Sequence, residues 1–156
     1  MIEFSVDMTP LETKLNSMTT RMEHPPMREV GGVIVESTAK TFAAGGRPEA
    51  WITNKLGTPT LGGPRSSLVK NTLITGVGEL FVEVTGGAGL IYSRVHQLGA
   101  TITAKNAPYL KFKMGDRWVQ KKSVTIPARR WFRVQDEDLN TIVSLLKNYI
   151  LQGERA

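Results

Sequence analysis

Long helical periodicity occurs only near the two ends of this 156-residue chain, and a middle broken by glycine and proline separates them. Toward the C-terminus Leu139, Ile142, Val143, Leu146 and Ile150 recur at the spacing of one helix face. Asp136-Glu137-Asp138 opens that helix, where carboxylates suit the positive end of the dipole, and Gly153 stands where a C-cap glycine belongs. Toward the N-terminus Thr9-Pro10-Leu11-Glu12 reads as a capping box with proline at the first helical position, followed by Leu11, Leu15, Met18 and Met22. His24-Pro25-Pro26 stops this helix, and a second begins near Pro26 with Met27, Val30, Ile34 and Phe42 as its stripe. Gly31-Gly32 falls inside it, each glycine costing about 1 kcal/mol, so either the helix kinks there or something packs closely against it.

The middle holds only short strands. Leu80 to Val84 alternates as a strand and ends at Thr85-Gly86-Gly87-Ala88-Gly89, and a helical turn follows from Tyr92 to Leu98. Tyr109, Phe112 and Met114 lie among lysines, and Arg117 to Ile126 reads as one strand closed by Pro127. Ile2, Phe4 and Val6 also alternate ahead of the first helix. Gly45-Gly46-Arg47-Pro48 ends the second helix, and some twenty residues without a convincing period follow. The expected fold is one α+β domain over residues 1–156, a mainly antiparallel sheet packed by N-terminal helices and a C-terminal helix, with a long projecting loop at about 45–67.

The residue inventory removes most catalytic chemistries. Cys is absent, which excludes a disulfide framework, an iron–sulfur cluster, a zinc ribbon and a cysteine nucleophile together. The two histidines, His24 and His96, are far apart and the acids are dispersed, so no metal-ligand spacing is recognisable. Gly87-Ala88-Gly89 follows a strand, but the dinucleotide fingerprint needs a third glycine where Tyr92 stands. No glycine precedes Lys-Ser or Lys-Thr, as a Walker phosphate loop requires. Ser93 lies one turn from His96, yet no Gly-x-Ser-x-Gly elbow accompanies the pair; the role expected of His96 is a hydrogen bond to backbone that fixes the turn. His24 reads as a solvent-facing helix terminus. No cofactor is expected.

Met1-Ile2-Glu3-Phe4 lacks the basic and apolar regions of a signal peptide, and no segment approaches the roughly 18 apolar residues of a membrane span. The expected site of action is the cytoplasm of the producing cell, or a particle assembled there, with no membrane partner. Net charge is +6, and the stretch from Lys105 to Arg133 carries nine basic residues against one acid, Asp116. With Tyr109, Phe112, Trp118, Trp131 and Phe132 interleaved, this stretch suits nucleic acid through phosphate contact and stacking. It also suits a strand pair whose lysine-rich face protects its edges, or an acidic protein partner.

The run Tyr92-Ser93-Arg94-Val95-His96-Gln97-Leu98-Gly99, then Val124-Thr125-Ile126-Pro127-Ala128-Arg129-Arg130-Trp131-Phe132 and an acid-started final helix, resembles the phage virion morphogenesis (tail completion) family of Mu-like phages. Phe42 and Gly46-Arg47-Pro48-Glu49-Ala50-Trp51 extend the resemblance over most of residues 1–150. Leu61-Gly62-Gly63-Pro64-Arg65-Ser66-Ser67-Leu68 departs from the Leu-x-x-Thr-Gly-x-Leu-x-x-Ser pattern usual there. The resemblance implies a structural protein of the head–tail junction without catalytic activity, a neck or tail completion/terminator subunit located in the virion. It further implies a homo-oligomeric ring, a hexamer favoured, meeting neck, head-adaptor and tail-tube proteins and touching passing DNA at most transiently. The candidate contact residues are then Arg47, Trp51, Lys55 and Arg65 on the loop, and Lys111, Lys113, Lys121 and Lys122 on the basic stretch. The other reading of the residues is a small basic nucleic-acid-binding module.

Overall fold

A computed structural model describes residues 7–53 and 60–153 of the chain. Helices α1 (Thr9–Glu23) and α2 (Met27–Ala43) come first, then an irregular turn over Thr60–Arg65 and the short helix α3 (Ser67–Lys70). Strands β1 (Leu73–Val77) and β2 (Val82–Thr85) form an antiparallel ribbon, and helix α4 (Ser93–Leu98) follows. Strands β3 (Ala100–Thr103), β4 (Leu110–Met114), β5 (Arg117–Lys121) and β6 (Ser123–Ile126) lead to the last helix, α5 (Asp136–Gln152). The α+β class is as expected. Instead of one sheet, however, the strands make three separate two-stranded antiparallel ribbons, β1–β2, β3–β6 and β4–β5. The single strand anticipated over Arg117 to Ile126 breaks at Lys122, whose carbonyl accepts the Ala104 amide at 3.0 Å and closes the β3–β6 ribbon. β5 has by then used its register on β4, so β6 pairs with a different strand.

Helix α1 begins without the capping box. Thr9 is already helical and Met8 is the N-cap, so the Asp7 carboxylate, not the Thr9 hydroxyl, takes up a first-turn amide, that of Thr9 at 3.0 Å. Hydrogen bonds from Thr9 hold the Asp7 carboxyl below its ordinary value. The alternating Ile2, Phe4 and Val6 lie outside the described residues. Helix α5 starts and ends as its sequence requires. Asp138 reaches back to the Gln135 amide, and Gly153 caps the C-terminus in the left-handed conformation at φ 75°.

Close packing, not a kink, explains Gly31. The β1–β2 ribbon lies across α2 there, and a Cβ on Gly31 would sit 2.7 Å from Val82 Cγ2 and 3.0 Å from Ile74 Cδ1. Gly31→Ala is therefore expected to lower stability by about 1–3 kcal/mol through overpacking, despite alanine's better helix propensity. Gly32, with nothing within 4 Å, should gain from the same change. Urea unfolding of both variants checks this, and equal effects at the two positions would contradict it.

The core is small and aromatic. Phe42 of α2, Leu68 of α3 and Trp131 ahead of α5 are buried together, with Trp51, Leu61, Val69, Leu90 and Phe132 packed around them. Phe42 meets Trp51 edge-on at 5.1 Å between centroids and Trp131 at 5.7 Å. The flanks of the glycine- and proline-rich segment thus belong to the core. Trp51 donates its amide to the Gly45 carbonyl at 2.7 Å, while Gly63 and Ser66 are buried at the far side. Leu61 takes φ 55°, a region costing a β-carbon-bearing residue about 1–2 kcal/mol, and its packing against the aromatic cluster holds it there. Between these flanks Glu49, Ala50, Ile52 and Thr53 are exposed, and residues 54–59 lie outside the described residues.

Candidate functional site

The basic stretch stands apart from the helices. Strands β3 to β6 form an arm in which neither ribbon packs extensively on a helix, and most side chains from Thr101 to Thr125 are exposed. Opposed residues of an antiparallel pair share a face, so the β4–β5 register sorts the arm's chemistry. Lys111, Lys113 and Trp118 occupy one face with Gln120, and the Lys111 ammonium sits 5.1 Å from the Trp118 ring centroid. Leu110, Phe112, Met114 and Val119 occupy the other, with Arg117 and Lys121 at its two ends. On that face Leu110 and Phe112 meet Ile102 and Val124 of the β3–β6 ribbon around an apolar cleft of about 300 Å³. The four lysines singled out from sequence are thereby divided: Lys111 and Lys113 on one side, Lys121 on the other, and Lys122 at the break between β5 and β6.

The loop candidates fare differently. Arg47 is turned inward, where its guanidinium donates to the Ser37 carbonyl at 2.8 Å, to Ser37 Oγ at 2.7 Å and to Thr41 Oγ1 at 3.2 Å, and pairs with Glu137. Ser37 Oγ in turn donates to the buried Asp138 carboxylate at 2.6 Å, and the Gln135 side chain donates to the Arg47 carbonyl at 3.1 Å. This network ties the end of α2 to the start of α5. Trp51 is half-buried on Phe42, Arg65 is exposed at the end of the irregular turn, and Lys55 lies outside the described residues.

Between the core and the arm stands a residue whose role sequence reasoning missed. Gln97 Oε1 accepts the amides of Trp131 and Phe132, each at 3.0 Å, and its Nε2 donates to the Phe132 carbonyl at 2.8 Å. A lone glutamine in a helical turn carries no signal for this; only its return contact, 34 residues on, reveals it. His96 beside it acts otherwise than expected. Its backbone carbonyl accepts the Arg129 amide at 2.7 Å and so fixes the turn, but the imidazole Nδ1 is buried without a protein partner. The ring packs edge-on to Tyr92, and no hydrogen bond joins it to Ser93 among the described residues. Burial, then the charge of Arg129, holds the imidazole below its ordinary value of 6.5.

A histidine depressed in this way binds its proton more tightly in the unfolded chain. Stability is then complete above about pH 6.5 and falls as the pH drops below it, with a slope of the sign ν(unfolded) greater than ν(folded). His96→Phe should flatten that part of the stability–pH curve, which chemical denaturation at pH 5 to 8 measures. A curve unchanged by the substitution would contradict the assignment.

Among the described residues, no three His, Asp or Glu side chains gather as a metal site, and no helix is long and apolar enough to cross a membrane. Arm, aromatic core and inward-facing network together describe a framework with a cationic projection. Comparison with curated proteins and with solved structures finds no match. A family model does match, over residues 6–151, which takes in the Gln97 turn, the arm and the acid-started final helix; the chain belongs to the phage virion morphogenesis family.

Proposed function

We propose that this protein of phage virion assembly is a ring subunit of the head–tail junction, a tail completion or terminator protein that joins tail to head. It acts as a homo-oligomer, a hexamer favoured, without catalysis, meeting neck, head-adaptor and tail-tube proteins and passing DNA only transiently. The observation that carries the ring is the apolar surface left open on the single subunit. On α1, Leu11, Leu15 and Met22 are 47%, 51% and 60% exposed, and on α5, Leu139 and Val143 are 52% and 63% exposed. These are the positions whose helical spacing in the sequence marks a buried face. Uncovered stripes on different helices favour contacts between unlike faces of neighbouring copies, as a cyclic ring requires.

A phage unable to make this protein should accumulate DNA-filled heads and separate tails, and purified protein added to the lysate should restore joined particles. Labelled copies should appear as one ring at the junction. Joined, infectious particles made in its absence, or label distributed along the tail tube, would overturn the reading.

A further inference from the structure

The subunit carries, far from the arm in the chain, a surface of opposite chemistry. Where the end of α1 meets the β1–β2 turn there is an open cleft of about 720 Å³, lined by Thr19, Met22, Glu23, His24, Glu79 and Leu80. It contains two carboxylates and no lysine or arginine. Met22 and Leu80 are 60% and 71% exposed in it, so the cleft offers apolar as well as acidic contact. Neither carboxylate forms an ion pair among the described residues. The β1–β2 ribbon and the β4–β5 hairpin make no substantial contact within the subunit.

We propose that the tip of the β4–β5 hairpin, with Lys113, Met114, Arg117 and Trp118, docks into the Glu23–Glu79 cleft of a neighbouring copy of this chain. The proposal rests on the ring reading and supplies its contact. Cations meet carboxylates, while Met114 and Trp118, 43% and 65% exposed, meet Met22 and Leu80. Two different patches on one chain make a heterologous contact, the kind that propagates around a ring. DNA fits the arm less well. Its basic residues are split between two faces instead of forming one track along a phosphate backbone, whereas a hairpin tip inserted into a cleft presents both faces at once.

Charge exchange tests this in the full-length protein. All four side chains to be reversed are exposed, so far-UV circular dichroism should show unaltered folding. Lys113→Glu with Arg117→Glu should weaken self-association by about tenfold or more in sedimentation, as should Glu23→Lys with Glu79→Lys, and the two sets combined should restore it. The cysteine-free chain also permits a directional cross-link. Met114→Cys and Leu80→Cys subunits should form mixed disulfide dimers when combined, and far fewer when either is alone. Oligomers that form normally yet ignore every reversal and give no mixed cross-link would overturn the docking contact and leave the ring standing. A protein that stays monomeric at the highest soluble concentration would overturn both. Unchanged self-association with lost retardation of double-stranded DNA in the arm reversal would replace the contact with a nucleic-acid surface.

Discussion

Trp131→Ala is expected to lower the free energy of unfolding by about 3–5 kcal/mol, the largest effect of any single substitution in the core. The indole is 2% exposed and lies against Phe42 and Phe132, each 5.7 Å away between centroids. Truncation removes that apolar burial and leaves a void which three neighbouring elements cannot close together. The surroundings allow little collapse because Gly87 approaches so closely that a Cβ there would lie 3.3 Å from Trp131 Cη2. The backbone at Trp131 is also held, by Gln97, so the chain cannot slide inward to refill the site. Trp131→Phe keeps an aromatic ring and loses the indole donor to the Ser93 carbonyl, so a smaller cost of about 1–2 kcal/mol is expected. Urea unfolding followed by circular dichroism measures both, and a loss under about 1 kcal/mol for the alanine variant would show that Trp131 does not anchor the core.

Asp138→Ala should cost about 2–4 kcal/mol, although it deletes only a carboxylate. Asp138 is 5% exposed, and its Oδ2 accepts both the Ser37 hydroxyl at 2.6 Å and the Gln135 amide at 2.8 Å. Alanine leaves the amide at the N-cap of α5 and the Ser37 hydroxyl without that acceptor in a buried setting. It also leaves Arg47, hydrogen-bonded to the same Ser37 oxygen at 2.7 Å, with less compensating charge. Asp138→Asn retains the shape and one acceptor oxygen, and should recover about half of the loss. Ser37→Ala in the Asp138→Ala background should then cost less than in the parent, because the hydroxyl's acceptor is already gone. Additive losses in that double-mutant cycle would show that the two groups are not coupled.

Much of this protein was legible in the linear chain because the relevant interactions are local. Helix α5, its acidic opening and its glycine cap depend on spacing of three and four residues and on one left-handed position, and all were read directly. The turn over Tyr92–Leu98 and the end of α2 near Gly45 followed from similar short-range rules, whereas the choice at Gly31 between a kink and a close neighbour was left open and packing decided it. The concentration of positive charge between Lys105 and Arg133 was visible as a count. Its geometry was not. Whether neighbouring lysines share a face depends on strand pairing, and one break at Lys122 assigned β5 and β6 to different partners. Arg47 and Lys113 look alike in sequence; only the packing of α2 on α5 turns one inward and leaves the other on an arm. The apolar spacing of α1 marks one helix face, but periodicity does not say what lies against it, and within the subunit Leu11, Leu15 and Met22 stay exposed. The Gln97 clasp, the Ser37–Asp138 bond and the Glu23–Glu79 cleft join residues that are distant in the chain, so tertiary structure alone decided them: a side chain's local spacing carries no information about which remote backbone will arrive beside it.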